Sequence, residues 1–408
     1  MKILVLCTYP ISHACHGGQL RVKNIVEMYR KDGYNVKVIG VLGSDSYPRE
    51  EGFLSFPGYK VLESVYPSPF LMEDYALGEL FYNNTHFFNK LSTLVDRDAD
   101  IIHVEQPWLF KFIKKVIDSD DSWSPKLIYG SQNIEFELKE KILSNYKNKD
   151  EVIHASELIK DLEVYAIENS DLVIYVSESD GKTLNSFKPK HSVLASNGVA
   201  DWVHSKSQNI LANTISKNKK FVLYCASGHP PNVTGFFHMF GGGFGSLTPD
   251  QRLIIVGGAG NAIGGDPRVH ESAKLAEKID IAGIVSSEML HGLIDTAHCI
   301  ILPLTQGGGT NLKTAEALWS GKYILATSVA MRGFEKFISS PGVFVEDDPA
   351  LFKKRLRDIM SMPNLSLSDD EVKKRSSVLW NQCLQSLLST INYFWNDKRN
   401  EQANYLDQ

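Results

Sequence analysis

PLTQGGGTNLKTAEALWSGK, residues 303–322, follows the apolar run HCIILPL. It reads as a strand that empties into a glycine-rich turn and then into a helix beginning near Asn311. The glycines Gly307, Gly308 and Gly309 let the backbone approach a ligand closely, and the N–H groups and positive dipole end of the following helix favour phosphate oxygens. Lys313 lies in the first turn and adds a point charge. Glu316 sits further along, where a carboxylate can accept paired hydrogen bonds from ribose hydroxyls. An acid beside an anion site suits a nucleotide. A tight structural turn followed by a solvated glutamate would use the same residues, so the segment alone leaves both readings open.

Outward from this stretch, short apolar β-rich runs alternate with longer amphipathic segments, the pattern of a parallel sheet covered by helices on both faces. In the first half the predicted strands are Lys2 to Leu6, Asn35 to Gly40, Ile101 to Val104, Lys126 to Tyr129, Leu172 to Val176 and Ser192 to Ala195. The polar stretch from Ser207 to Lys220 reads as a linker. A second series follows, with strands opening at Phe221, Gln251, Ile279, His298, Tyr323 and Val343, and a helical pattern runs from Glu371 to Tyr393. The expected organisation is an N-terminal domain over 1–205, a second domain over 206–385 and a terminal segment over 386–408 packing back towards the first. In open α/β sheets ligands bind at the carboxyl ends of the strands, so the chemistry is expected in the loops that follow them, with ligand held in a cleft between two facing domains.

The length of 408 residues exceeds one ordinary core, and 43% hydrophobic with 22% charged residues is the balance of a globular chain. A net charge of −5 gives no global reason to expect a nucleic-acid partner. The five cysteines are odd in number and lack a C-x-x-C pair, which argues against a disulfide framework or a zinc site and fits a reducing, cytoplasmic compartment. The N-terminal MKILVLCTYP reads as a buried strand rather than a signal peptide, and no apolar run reaches membrane-spanning length.

The longer segment PLTQGGGTNLKTAEALWSGKYILATSVAMRGFE resembles the donor-binding segment of glycosyltransferase family 4 and its relatives. The resemblance implies the GT-B fold, two doubly wound Rossmann-like α/β domains, and sugar transfer from a nucleotide diphosphate sugar to a hydroxyl of a glycan or lipid-linked acceptor. Gly307, Gly308, Gly309, Thr310 and Asn311 would then meet the donor with Lys313 and Glu316. Many family members carry a glutamate eight positions before Glu316, where this chain has Gly308, so backbone N–H groups would replace that side chain. GGQLRVKNIVEMYRKDGYNVKVI resembles the family's first helix, which assigns Gly17 and Gly18 to the donor side. SGHPPNVTGF stands where many relatives have an Arg and a Lys for the phosphates; this chain offers Ser227, Asn232 and Gly235 instead. IAGIVSSEMLHGLIDTAHC resembles the nucleobase loop, with Gly283 and Val285 facing the base. ADIIHVEQPWL and LIYGSQNIEFE place His103, Glu105, Gln132 and Asn133 after two strands, where relatives often show histidine at the positions of Glu105 and Gln132. His103, Glu105 and Asn133 are the catalytic candidates, although strand-end polar groups are also commonly satisfied structural ones.

The resemblance further implies retention of anomeric configuration, no catalytic metal, no separate cofactor, and a role in bacterial surface polysaccharide synthesis with peripheral association at the inner membrane face. GGAGNA from Gly257 mimics part of a dinucleotide fingerprint without its full spacing, which disfavours NAD. His13, Cys15 and His16 cluster with poor metal-ligand spacing and read as a polar loop. SVYPSPFLMEDYALGELFYN, from Ser64, reads as core packing or as an acceptor- or membrane-facing surface. Two other functions stay open: a nucleotide-sugar epimerase of the same fold, and a nucleotide-sugar-binding protein without turnover.

Overall fold

The computed structural model of the chain describes residues 1–202, 206–241, 243, 246–271, 277–306 and 310–396. They form two compact units, one of Met1–Ser196 with Leu384–Gln408 and one of Asn197–Cys383.

The first unit carries β1 (Lys2–Cys7), β2 (Asn35–Val41), β3 (Phe53–Leu54), β4 (Ile101–Glu105), β5 (Lys126–Gly130), β6 (Leu172–Tyr175) and β7 (Ser192–Leu194). All pair in parallel in the order β3-β2-β1-β4-β5-β6-β7. The second unit carries β8 (Lys220–Cys225), β9 (Gln251–Val256), β10 (Ile279–Gly283), β11 (Cys299–Leu302), β12 (Tyr323–Ala326) and β13 (Val343–Val345). Its order is β10-β9-β8-β11-β12-β13, again all parallel. The strands read as unbroken apolar runs because both faces of each sheet are covered. In the second unit Val222, Tyr224, Leu253 and Ile255 enter one hydrophobic cluster, while Leu223, Ile254, Ile300 and Ile324 enter the cluster on the opposite face. Burying a side chain of this size stabilises by roughly 1.5–3 kcal/mol, so the two faces together dominate the fold.

Three sequence expectations are corrected. The stretch from Ser207 is not a linker: Lys206–Ser216 is a helix, held by Ala212 and Ile215, which pack against the unit's core. Two inward apolar residues in a polar segment leave too little periodicity to detect. The boundary expected at 205/206 falls after Ser196, because Val199 pairs with Leu379, donating to Val378 O at 2.9 Å and accepting from Trp380 N at 3.1 Å. That same bridge breaks the helical pattern expected from Glu371 to Tyr393. Leu379 is drawn into an extended conformation, leaving Asp369–Arg375, the 3-10 turn Ser376–Val378, Trp380–Cys383 and Gln385–Ile391 as separate segments. From Leu384 the chain belongs to the first unit. There Asn392 Nδ2 donates to Asp32 at 3.2 Å, and Phe394 stacks on His191 with ring centroids 4.3 Å apart. The two-residue β3 went undetected for its shortness.

Candidate functional site

Each strand order reverses once, at β1/β4 in the first unit and at β8/β11 in the second, and ligands of doubly wound sheets bind beyond the carboxyl ends of such a switch point.

In the first unit, β4 delivers His103 and Glu105 to this end, both fully buried. Glu105 Oε1 lies 3.1 Å from His103 Nε2 and 3.9 Å from Arg21 Nε, and its Oε2 accepts from Gln132 Nε2 at 2.9 Å. Burial acts to raise the Glu105 pKa, but the His103 contact, the Arg21 charge and the Gln132 hydrogen bond outweigh it and hold the carboxyl below its usual range. His103 is fixed from its other nitrogen by Tyr29 Oη at 3.0 Å, and Arg21 donates to Ala195 O at 2.7 Å. The β5 end must leave room for these side chains. A Cβ on Gly130 would stand 2.7 Å from His103 Nε2 and 2.8 Å from Glu105. The side chains of His103 and Glu105 are therefore wholly enclosed.

Gln132 lines a pocket of ≈ 400 Å³ together with Thr8, Tyr9, Gly18, Gln106 and Asp74. Gln106 takes a left-handed backbone conformation, φ 61°, directly after β4, an uncommon one for a residue with a side chain and one that recurs at functional sites. It donates to Glu135 Oε1 at 3.1 Å, and the half-buried Asn133 donates to the same oxygen at 3.2 Å. Glu135 is in turn buried beside Glu163, whose carboxyl accepts from Tyr129 Oη at 2.8 Å and from Glu135 N at 3.0 Å. Burial and then the Glu135 charge push the Glu163 carboxyl up to about 8. Gly17 and Gly18 open the helix Gly17–Lys31, and a Cβ on Gly18 would lie 2.8 Å from Gln132 Oε1. His16 is the N-cap of that helix, in a capping box with Gln19, which gives it a structural task. The segment from Ser64 contributes mainly core, with Met72, Ala76, Leu77, Leu80 and Phe81 buried. Among the described residues no group of three or more His, Cys, Asp or Glu is placed to hold a metal ion, and no helix is long and apolar enough to cross a membrane.

In the second unit, Asn311 caps the helix Leu312–Trp319 by accepting from Lys313 N at 3.1 Å. Gly307, Gly308 and Gly309 lie outside the described residues. Lys313 Nζ meets both Glu316 oxygens, at 3.0 and 2.9 Å. Burial opposes the Lys313 charge, but the Glu316 carboxylate beside it and the Cys225 thiol at the end of β8 raise its pKa well above the usual lysine value. Thr310 Oγ1 accepts from Asn197 Nδ2 at 2.8 Å, so Asn197, which reads as a turn former, is the residue that ties down the end of the glycine segment. After β8, Asn232 Nδ2 donates to Ser227 Oγ at 3.1 Å and to Ser227 O at 3.0 Å, closing that loop. Gly283 has φ 67° and accepts from Gly257 N at 2.7 Å, while Val285 packs partly into the core. Ser227 and Asn232 thus follow β8, and Lys313 and Glu316 lie on the helix that follows β11, the two strands of one switch point. Gly283 ends β10, the edge strand two places away, and Val285 follows it.

This arrangement, two all-parallel doubly wound units each with one switch point, has relatives among solved structures. The sucrose-phosphate synthase of Thermosynechococcus elongatus superposes with a TM-score of 0.65 at 13% identity, over 97% of this chain and 99% of that one. The chain has the GT-B fold. HepE from Anabaena, solved in complex with UDP-glucose, gives 0.62 at 14% identity, over 97% and 100% of the two chains. A lipopolysaccharide outer core galactosyltransferase, WaaB, gives 0.62 at 12%, over 96% and 99%. Residues 220–362 match the family model of glycosyl transferases group 1. That match runs from β8 past the helix after β13 and includes the entire Lys313–Glu316 segment. No curated protein matches the chain by sequence.

Proposed function

We propose that the chain transfers a sugar from a nucleotide diphosphate donor, bound by the second unit, to a hydroxyl of an acceptor bound by the first. The observation that carries this reading is the capped helix Leu312–Trp319, with Lys313 and Glu316 at the β8/β11 switch point, inside the segment that matches glycosyl transferases group 1. In the ligand-free state the ammonium and the carboxylate neutralise one another. A diphosphate competes for Lys313, and the released Glu316 oxygens accept from ribose hydroxyls. The helix end and Lys313 then stabilise the charge that develops on the leaving diphosphate. The UDP-glucose in the HepE structure supports a nucleotide sugar as donor.

Retention, with the leaving phosphate assisting deprotonation of the acceptor, and a glycan or lipid-linked acceptor of surface polysaccharide synthesis complete the proposal. These finer points rest on the sequence resemblance of the donor segment. In the first unit Glu105 and His103 act through Gln132, as positioning residues.

Thermal-shift measurements against a panel of nucleotide sugars test the reading, since a ligand that binds only the folded chain raises its melting temperature. One nucleotide diphosphate sugar is expected to give the largest shift and, with an acceptor pool, to release nucleoside diphosphate. Conversion of the donor to an isomer without any acceptor would replace transfer by epimerisation.

A further inference from the structure

The pocket at the β1/β4 end is acidic and aromatic. Its lining brings Glu73 and Asp74 together with Tyr9, Tyr47 and Tyr59, and contains no Lys or Arg among the described residues. Glu73 makes no ion pair among the described residues. Asp74 has a single cationic neighbour, Lys139, at 3.8 Å, and that ammonium also donates to Leu71 O at 2.6 Å. The remaining basic group of the lining, His16, has its pKa lowered by burial, so it brings no charge at neutral pH. Both carboxylates stand in the first turn of the helix Glu73–Asn83. The dipole of that helix accounts for acids at its start, and they neutralise it; the other helix that begins at the pocket, Gly17–Lys31, carries no acid in its first turn, but its start is capped by the His16 side chain, which accepts from Gln19 N.

A second observation points to a ligand. Gln132 is more than nine-tenths buried, and its amide is oriented by donating Nε2 to Glu105 and to Tyr9 Oη. Its Oε1 has no hydrogen-bond partner among the described residues, and Gln132 lines the pocket. Because the Tyr9 hydroxyl accepts from Gln132, its own hydrogen remains available for a ligand oxygen. The pocket therefore presents a fixed acceptor, a fixed donor, two carboxylates and tyrosine faces.

From this juxtaposition we infer that the first unit takes a hydroxyl-rich acceptor that is neutral or carries an amine, and rejects a phosphorylated sugar, with Glu73 as the specificity-determining residue. The inference rests on the transferase reading for the word acceptor. The pocket chemistry itself does not depend on it. Carboxylates and tyrosines recognise sugar hydroxyls by accepting hydrogen bonds and by covering apolar ring faces, whereas a phosphate monoester brings close to two negative charges and finds no cation.

Saturation-transfer NMR and competition titration on the full chain, without donor, test it with three probes: methyl α-glucopyranoside, glucosamine and glucose 6-phosphate. The first two are expected to bind, with the signal lost in Gln132→Leu at a temperature where that variant, destabilised by the lost hydrogen bond to Glu105, is still folded by circular dichroism. Glucose 6-phosphate is expected to bind at least about ten-fold more weakly than the neutral glycoside, as like charges at close range dictate. Glu73→Lys is expected to narrow or reverse that ratio, and Glu73→Gln to narrow it less. Equal or tighter binding of the phosphate by the unaltered chain overturns the inference, and so does the absence of binding by all three probes. A chain that binds the neutral glycoside but no nucleoside diphosphate would keep this inference and remove the transferase reading, so the two fail separately.

Discussion

At the β1/β4 switch point, four side chains from three separate segments (Arg21, His103 with Glu105, and Gln132) are locked against one another away from solvent. At the β8/β11 switch point, Lys313 and Glu316 come from one helix turn and remain partly exposed, at 33% and 22%. The same topology thus hosts a preorganised, dry network in one unit and a wet, separable ion pair in the other. A buried network orients what lies above it and does not give way. A partly exposed pair can exchange its internal partner for a ligand at little cost, because such pairs contribute only about 0–1 kcal/mol.

The largest effect that separates the two is on stability. Glu105→Ala leaves the buried Arg21 and His103 without their carboxylate and is expected to cost roughly 3–5 kcal/mol in denaturant unfolding. Glu316→Ala is expected to cost under about 1 kcal/mol. Similar losses at the two positions would erase the distinction.

A smaller effect concerns pH. The folded chain keeps a proton on Glu163 up to about 8, whereas an unfolded glutamate releases it near 4.5. The native state therefore binds more protons within that window, and stability falls as pH rises through it. Glu163→Gln removes the titration, and its melting temperature is expected to exceed that of the unaltered chain near pH 8, by a difference on the order of 1–3 kcal/mol in stability, and to converge with it near pH 5. A pH-independent difference would mean that Glu163 is not the group that titrates. The smallest effect lies at Asn197, where replacement by Ala removes one hydrogen bond to Thr310 and is expected to cost about 1 kcal/mol in unfolding.

The strands of both sheets were legible because parallel strands covered on both faces leave continuous apolar runs, and twelve of them needed nothing more. What the sequence hid were elements defined by distant partners. The bridge of Val199 to Leu379 sets both the unit boundary and the break in the terminal helices, and no local pattern records it. The segment proposed to hold the donor stands out in the sequence because its residues are contiguous, from Thr310 to Glu316. The network of the first unit was legible only in part. Arg21 donates to a carbonyl 174 positions away. A signal did exist, since Arg21, Ile25 and Tyr29 share one face of the helix Gly17–Lys31 at four-residue spacing and all three are buried. A charge on an apolar stripe asks for a buried partner.

The central claim is that the second unit binds a nucleoside diphosphate through Lys313 and its ribose through Glu316. Calorimetric titration of a nucleoside diphosphate and of its parent nucleoside into the unaltered chain, Lys313→Ala and Glu316→Ala tests it most directly. Lys313→Ala is expected to weaken the diphosphate about ten-fold or more with little change for the nucleoside, as loss of a charge-assisted contact requires, while Glu316→Ala weakens both. Equal losses for both ligands in Lys313→Ala, or unchanged affinities in Glu316→Ala, would contradict it.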